Sequence, residues 1–294
     1  MNNEKEPIFI IGAGRSGTNI LRDVLTKLPN MITWPCDEIN LVFRHGNRNL
    51  PHDEFDKSHI NKEAGNYITE TFSKLIKSSG NSNSIVVEKT CANSLRIPFL
   101  NELFPEAKYI FIYRNGYDVT ASAVKRWQAP IEVKYLSKKL SFVPKSDIPF
   151  YAVKFFRNRL YQMFSNEKKQ KQWGPVYKGM GKDIKNLSIL EVAAKQWARC
   201  FEKAWSDLQK LAPNKFISIS YEDFVGDPYT SLERIKKWNK YSWTDSEMKA
   251  AIIDVRTTSI NKGKQFYDNE ALVIVKKIIE PVVKRTYSKI NTSN

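Results

Sequence analysis

A glycine-rich segment near the N-terminus carries residue types that could do chemistry. Residues 12–19 read Gly-Ala-Gly-Arg-Ser-Gly-Thr-Asn, between a predicted buried strand at 7–11 and a helical pattern that ends before Pro29. Such a strand, turn and helix direct backbone N–H groups and a helix N-terminus at one anion. Arg15 adds a cation that can fork onto two oxygens of a tetrahedral oxyanion. The segment therefore predicts a loop that holds a phosphate-like group.

This loop differs from the Walker A loop of nucleotide hydrolases, which has the form GxxxxGK[ST]. Gly12 and Gly17 have the required spacing, but Thr18 and Asn19 stand where that loop needs Lys and then Ser or Thr. The loop therefore lacks the cation for the β- and γ-phosphates and the usual Mg²⁺ ligand. The sequence predicts a phosphate cradle that does not cleave a metal-bound triphosphate.

A second segment with candidate binding residues begins at a predicted strand over 108–113. Arg114 follows the strand, Asn115 can cap the next helix, and Asp118 suits the positive end of the helix dipole. Ser122 lies two helical turns further on. Arg114 and Ser122 can therefore face one crevice at the carboxyl edge of a parallel sheet, where open α/β folds bind ligands.

Together these segments resemble the sulfotransferases that use 3′-phosphoadenosine 5′-phosphosulfate (PAPS). Residues 12–18 are similar to that family's 5′-phosphosulfate loop, G-x-x-R-S-G-T, and residues 114–122 to its 3′-phosphate motif, R-x-x-x-D-x-x-x-S. The resemblance implies a P-loop NTPase-like α/β fold, a three-layer sandwich with a central parallel sheet flanked by helices. Further similar segments are 87–90, 93–96, 103–108, 219–224 and 227–228, so that the match covers most of 7–127 and 186–265.

The resemblance also implies the donor and its binding residues. PAPS would be the sulfate donor and 3′-phosphoadenosine 5′-phosphate (PAP) the product, without a metal ion. Arg114 and Ser122 would hold the 3′-phosphate, and Tyr221 would pack near the adenine. A late basic loop at 259–264 would close over the cofactor, and the sequence leaves open which of its lysines touches the 3′-phosphate. The other implied cofactor residues are Gly14, Arg15, Ser16, Gly17, Thr18 and Asn19 in the first loop, and Asn261, Lys262 and Lys264 in the late loop.

The chemistry of sulfuryl transfer suggests which residues are catalytic. It is an in-line displacement that needs positioning and charge neutralisation more than covalent chemistry. Arg15 and Lys89, which follows a predicted strand at 84–87, can supply positive charge. The resemblance implies that a carboxylate takes the acceptor proton, and Glu38 matches that position. Asp37 is the competitor, although it can equally cap a helix that begins near Glu38.

Two other residues are candidates for contact with the acceptor. Arg96 can face either the cofactor or the acceptor. His45 is a rival base from another chemistry, although a lone His between Arg44 and Gly46 is more often structural.

The family match thins between residues 128 and 185, which are rich in Lys, Arg and aromatic side chains. An amphipathic helix is predicted there at 151–164. Aromatic faces with interspersed cations suit a sugar ring that bears acidic groups, so we expect this insertion to form part of the acceptor site. The alternative is a solvated insertion whose aromatic residues simply form core.

The composition limits the classes to which the protein can belong. Its 294 residues, 41% of them hydrophobic, suffice for one α/β domain over 1–294. Three scattered cysteines favour neither a disulfide framework nor a zinc site, and no membrane span or signal peptide is predicted, so a cytoplasmic location is expected. The net charge of +16 favours anionic partners. Nucleic acid is not expected, because no helix-turn-helix, zinc-finger or RNP signature is present.

The sequence therefore predicts PAPS-dependent transfer of sulfate to a hydroxyl. A carbohydrate is the leading acceptor, and a peptide tyrosine or a small alcohol is the alternative. A kinase-like phosphotransferase would need the Mg²⁺ site and the lysine that the first loop lacks. The non-enzymatic alternative is a protein that binds a phosphonucleotide or polyanion without turnover. Glu38 and Lys89 argue against that alternative only if they converge on one cavity.

Overall fold

A parallel sheet forms the centre of the structure, a computed structural model that describes residues 5–129, 142–164, 172–257 and 260–291. Its strands are β1 (Ile8–Ile11), β2 (Met31–Ile32), β3 (Ile85–Glu88), β4 (Lys108–Tyr113) and β5 (Phe216–Ser220). They lie in the order β2-β3-β1-β4-β5, and every neighbouring pair is parallel. Because each parallel connection is a crossover, helices must cover the sheet.

Helices occupy both faces of this sheet. In the described part of the chain they are α1 (Thr18–Leu25), α2 (Asn40–Phe43), α3 (Lys62–Ser78), α4 (Ile97–Leu103), α5 (Gly116–Gln128), α6 (Ile148–Phe164), α7 (Met180–Asn186), α8 (Ile189–Leu208), α9 (Tyr221–Gly226), α10 (Pro228–Asn239), α11 (Asp245–Ala251) and α12 (Asn269–Asn291). None of these described helices is long and apolar enough to cross a membrane.

The alternation of side chains along each strand gives the sheet two hydrophobic cores. On β1, Phe9 and Ile11 belong to the first core, and Ile8 and Ile10 belong to the second. Helices α3, α5, α8 and α12 cover the first core, and α1, α9, α10 and α11 cover the second. The predicted three-layer α/β arrangement is confirmed.

Side-chain caps fix where two helices of the first core begin. Asn115 Oδ1 accepts a hydrogen bond of 2.9 Å from Tyr117 N at the start of α5, as predicted. Helix α8 begins in a capping box, in which Ser188 Oγ accepts from Glu191 N and the Glu191 carboxylate accepts from Ser188 N. The cap on α5 places the N-terminus of that helix at the carboxyl edge of the sheet.

Strand β2 spans only two residues. It ends at Ile32, because Trp34 leaves the sheet and packs edge-on against Phe72 in the first core, with a centroid distance of 4.8 Å. The segment that carries Glu38 is therefore irregular chain at the carboxyl end of β2.

The helix expected to begin near Glu38 begins at Asn40, and Asp37 does not cap it. The Asp37 carboxylate binds Arg22 and Lys89 instead. Two full positive charges stabilise a carboxylate more than the end of a one-turn helix does.

The insertion predicted over 128–185 is partly described. The helix predicted there is confirmed as α6, although it begins earlier than expected because Pro149 is tolerated in a first helical turn. Residues 130–141 and 165–171 of the insertion, and Ser259 of the predicted late loop, lie outside the described residues.

Candidate active site

The loop between β1 and α1 has the backbone of an anion-binding nest. Arg15 and Gly17 both adopt positive φ angles, of 74° and 90°. Such left-handed residues turn neighbouring backbone N–H groups toward one side of a loop, although Ser16 N donates to the carbonyl oxygen of Ala13 at 3.1 Å. The N–H groups in the first turn of α1 add to them, since a helix leaves these donors without intrahelical acceptors. The loop therefore presents hydrogen-bond donors on a concave surface at the carboxyl end of β1.

Both the φ angle at position 17 and the neighbouring Tyr221 ring require a glycine there. A Cβ atom on Gly17 would lie 2.2 Å from Cδ2 of Tyr221. On the same tyrosine ring lies the guanidinium of Arg114, 4.2 Å from the ring centroid. Because Arg114 follows β4 and Tyr221 follows β5, two adjacent strand ends place this stacked pair beside the loop. The contact of Tyr221 with an adenine stays a prediction.

Arg15 joins the two predicted anion-binding segments. Its Nε donates a hydrogen bond of 2.9 Å to Ser122 Oγ, and its carbonyl oxygen accepts one of 3.2 Å from Arg114 Nη1. Partial burial and the positive charges of Arg126 and Arg114 lower the pKa of Arg15 from its usual value. Clustered cations of this kind create a field that attracts an anion.

Asp118 ties the late loop to this surface. Its Oδ1 accepts a hydrogen bond of 2.6 Å from Gly263 N, and its Oδ2 accepts one of 2.9 Å from Asn261 N. The same carboxylate accepts from Arg114 Nη2 at 3.3 Å. Tyr267 donates its hydroxyl to the carbonyl oxygen of residue 117 at 2.6 Å. The late loop is therefore fixed over the N-terminus of α5.

The remaining predicted cofactor residues differ in exposure. Ser16 and Thr18 are buried, whereas Asn19 and Lys262 are exposed. Lys264 begins a short 3₁₀ turn, Lys264–Phe266. Their contacts with a cofactor stay predictions.

Lys89 lies between two carboxylates at the carboxyl end of β3. Its Nζ donates to Asp37 Oδ1 at 3.0 Å and to Glu38 Oε1 at 3.1 Å, and its side chain is 1% exposed. Arg22 Nη1 donates to the same Asp37 oxygen at 2.8 Å. Glu38 Oε1 also accepts from Cys91 N at 3.3 Å. The structure therefore brings Glu38 and Lys89 together.

These opposite charges set the protonation of the cluster. Burial alone would raise the pKa of Asp37, but Lys89 and Arg22 outweigh burial and hold that pKa at about 2. Burial alone would lower the pKa of Lys89, but the carboxylates of Glu38 and Asp37 raise it. Lys89 therefore stays positively charged, and Asp37 stays negatively charged, at neutral pH.

The carboxylate cluster and the anion loop are neighbours. Thr18 Oγ1 of the loop lies 3.6 Å from the Sγ atom of Cys91, whose backbone N–H binds Glu38. The charge of Asp37 also acts on Arg15. Within the described ranges, no three His, Cys, Asp or Glu side chains are grouped to hold a metal ion.

Arg96 and His45, which were expected at the acceptor, have protein partners. Arg96 is fully buried, and it donates to Asn93 Oδ1 and Asn40 Oδ1 at 2.7 Å each. His45 Nδ1 lies 2.9 Å from Asp147 Oδ2. Contact of either residue with an acceptor stays a prediction.

Arg22 was not predicted from the sequence, and Trp173 was predicted only as part of the 128–185 insertion. Arg22 pairs with Asp37, and Trp173 Cη2 lies 3.5 Å from the position that a Cβ atom on Gly14 would take. Arg22 is one helical turn beyond Thr18, and that spacing could have indicated it. Trp173 has no such local signal, because its partner is distant in the sequence.

A sequence model described as the sulfotransferase family matches residues 7–141 and 149–245 of the chain. The chain belongs to the sulfotransferase family. Membership supports sulfuryl transfer as the reaction class of the site described above.

Solved sulfotransferase structures share its fold. The sulfotransferase domain from the curacin biosynthetic pathway is 16% identical with a TM-score of 0.53, over 98% of this chain and 99% of that chain. A sulfotransferase from Alicyclobacillus acidocaldarius is 15% identical with a TM-score of 0.53, over 98% and 96% of the two chains. A sulfotransferase from Mycobacterium tuberculosis H37Rv is 13% identical with a TM-score of 0.51, over 95% and 78%. No curated protein matches this sulfotransferase significantly.

The depressed pKa of Asp37 predicts an acid-dependent contribution to stability. Its pKa is about 2 in the folded protein against an ordinary 3.8, so the stabilisation is complete above about pH 4 and is lost as the pH falls through 2. This shift corresponds to roughly 2 kcal/mol. We expect Asp37→Asn to lower the free energy of unfolding by about that amount at pH 7, and by progressively less toward pH 2, as measured by urea denaturation.

Asp254→Asn is the matched control for this prediction, because Asp254 pairs with Lys27 on the surface and its side chain is 80% exposed. It should give no measurable difference at any pH. A deficit in Asp37→Asn that stays constant between pH 7 and pH 2 would show that the charge of Asp37 does not stabilise the fold.

Proposed function

We propose that this sulfotransferase transfers the sulfuryl group of PAPS to a hydroxyl acceptor and releases PAP. The observation that carries the proposal is the hydrogen bond from Arg15 to Ser122, because it joins the residues expected at the sulfate end to those expected at the 3′-phosphate. The reaction class follows from the family, and the donor and acceptor are the part that we infer.

The residues at the carboxyl edge of the sheet fit a nucleotide with negative groups at two ends. One end has the N–H groups of the loop and Arg15, and the other has Arg114 beside the late loop. The Tyr221 ring packs against Gly17 of the loop and under the Arg114 guanidinium, so it holds the two ends together. Arg114 is already held by Asp118 and Tyr221, so little side-chain freedom would be lost on binding.

The bound donor would supply an activated sulfur, and the protein would supply position and charge. Arg15 and the loop N–H groups would bind oxygens on the sulfuryl group, where negative charge is stabilised by preorganised donors. Glu38 would take the proton of the acceptor hydroxyl as it attacks. Lys89 would orient Glu38 and neutralise nearby negative charge.

The geometry favours Glu38 over Asp37 as the base. Asp37 is bound by both Arg22 and Lys89, and with a pKa of about 2 it is a weak proton acceptor. The side chain of Glu38 is 23% exposed and that of Asp37 is 20% exposed, so both can be reached, and the low pKa of Asp37 is what favours Glu38.

The acceptor would lie against the end of the insertion. Trp173 sits over Gly14 at the start of the anion loop, and its ring contacts Trp127 edge-on at 6.4 Å. Gln196 Nε2 holds this segment by donating to the carbonyl oxygens of Trp173 and Pro175, at 2.9 and 2.7 Å. A fixed indole beside the reaction centre suits the apolar face of a ring, so a carbohydrate is our leading acceptor. A peptide tyrosine or a small alcohol would use the same base and loop.

Isothermal titration calorimetry tests the donor. We expect Arg114→Lys to weaken the affinity for PAP at least about 10-fold, because it removes a forked contact to a charged group. The affinity for adenosine 5′-monophosphate, which lacks the 3′-phosphate, should change less than about twofold. Arg199→Lys, on a surface pair with Glu54, should alter neither affinity. Preference of the wild type for Mg-ATP over PAP would overturn the proposal and favour a kinase-like phosphotransferase.

Turnover tests the catalytic role of Glu38. We expect Glu38→Gln to keep its affinity for PAP but to lose about 10²- to 10⁴-fold in kcat, the usual effect of a positioned base. The assay follows ³⁵S from PAPS to a panel of sugars, phenols and peptides, with water counted as one acceptor. Glu63→Gln, an exposed change on α3, is the control. Equal turnover in Glu38→Gln would place the base elsewhere, and no transfer by the wild type would favour the non-enzymatic alternative.

The same panel tests the role of Trp173. We expect Trp173→Ala to raise the KM for ring-shaped acceptors about 3- to 10-fold, because an aromatic contact is lost, and to leave PAP affinity unchanged. Trp173→Phe keeps a ring and should retain most of the affinity. An unchanged acceptor profile in Trp173→Ala would remove this residue from the acceptor site.

A further inference from the structure

A carboxylate lies buried directly behind the proposed base. Glu88 is the last residue of β3, precedes Lys89 in the chain, and is 1% exposed. The proposed reaction does not use it. Both of its carboxylate oxygens accept hydrogen bonds, from Thr90 Oγ1 at 2.5 Å and from Asn93 Nδ2 at 2.6 Å.

The first of these contacts leads to the backbone beside Glu38. Thr90 Oγ1 donates its proton to Glu88 Oε1 and accepts a hydrogen bond of 3.2 Å from Ile39 N. Because the hydroxyl proton is directed at Glu88, the lone pairs of Thr90 face Ile39. The carboxylate thereby determines which way the hydroxyl points.

The second contact leads to Asn40, on the other side of Ile39. Asn93 directs its amide nitrogen at Glu88 Oε2, so its Oδ1 is left to accept from Arg96 Nε at 2.7 Å. Arg96 Nη2 then donates to Asn40 Oδ1 at 2.7 Å. Two separate hydrogen-bonded chains thus run from one carboxylate to residues 39 and 40.

We propose that Glu88 is a positioning residue that holds the 38–40 segment, and with it the Glu38 carboxylate, in the orientation needed to accept the proton of the acceptor. This inference rests on the proposed function, because it assigns the proton transfer to Glu38. The carboxylate of Glu38 itself accepts hydrogen bonds from Lys89 Nζ and Cys91 N. The backbone next to it is held through Glu88, and a misplacement of about 1 Å can cost about 100-fold in rate.

Glu88 accepts at both oxygens only when it is ionised, and that form predominates above about pH 7. Burial raises the pKa of Glu88 to about 7, and the Thr90 hydroxyl and the positive charges of Arg96 and Lys89 limit that rise. Arg96 lies over the rings of Phe43 and Phe55, at 4.8 and 5.6 Å from their centroids. A buried carboxylate with this many specific partners is costly to replace by a group that satisfies fewer of them.

An amide cannot replace this carboxylate at both oxygens. In Glu88→Gln, the NH₂ group must face either the Asn93 amide or the Thr90 hydroxyl. One chain is then broken or reversed, although the volume of the side chain is unchanged. Glu88→Gln is therefore a conservative test of positioning.

Amide hydrogen exchange of the cofactor-free protein measures this role independently of activity. We expect Glu88→Gln and Thr90→Val to accelerate exchange at Ile39 N at least about 10-fold, while the slowest amides of β1 and β4 change no more than the measured loss in global stability requires. Thr90→Ser keeps the hydroxyl and should restore protection. Asp207→Asn is the matched control, because Asp207 is a buried carboxylate on α8 that pairs with Lys203 and Lys210. Unchanged exchange at Ile39 in Glu88→Gln would overturn the proposal.

Turnover of Glu88→Gln, measured in the wild type and in the Glu38→Gln variant, then separates positioning from general destabilisation. We expect Glu88→Gln to lower kcat about 10- to 100-fold with PAP affinity unchanged, and to cause less than about a twofold further loss when Glu38 is already Gln. Equal losses in both backgrounds would show that Glu88 acts elsewhere. If Glu38→Gln alone retained full turnover, the assignment of the base would fail, and the exchange at Ile39 would still decide whether Glu88 holds the segment.

Discussion

The parallel direction of the strands is the constraint on which the site depends. In a parallel sheet every strand delivers its C-terminal residue to the same edge. Here β1 delivers the anion loop, β3 delivers Lys89, β4 delivers Arg114 and β5 delivers Tyr221. Strand pairing therefore brings residues that are far apart in the sequence to one edge. The hydrogen bond between Arg15 and Ser122 is one result of that convergence.

The second constraint is the cost of placing so much charge at one edge. Lys89 is bound by two carboxylates, and Arg114 is held by Asp118 and the Tyr221 ring. Such pairing offsets the loss of solvation and also fixes the direction of each donor. Arg15 differs, since it is more accessible to solvent than Lys89 or Arg114 and lies near other arginines. The surface is therefore preorganised for a ligand that brings negative charge.

The donor and acceptor halves of the proposed site are built differently. The donor half consists of segments that directly continue strands, so short contiguous motifs describe it. The acceptor half depends on Trp173, which Gln196 of α8 holds over Gly14. Its partners are scattered along the chain, and specificity in such scaffolds commonly resides in these connecting segments.

The sequence by itself determined the strand–loop–helix at residues 7–25, the strand and capped helix around Arg114, the three-layer fold and the sulfotransferase family. Those features are encoded within short windows, by hydrophobic period, glycine spacing and caps. Tertiary structure alone decided that Asp37 binds Arg22 and Lys89 rather than capping a helix, and that Arg96 is buried behind Asn40. The partners of a charged side chain depend on which elements pack around it, and a linear pattern does not contain that information.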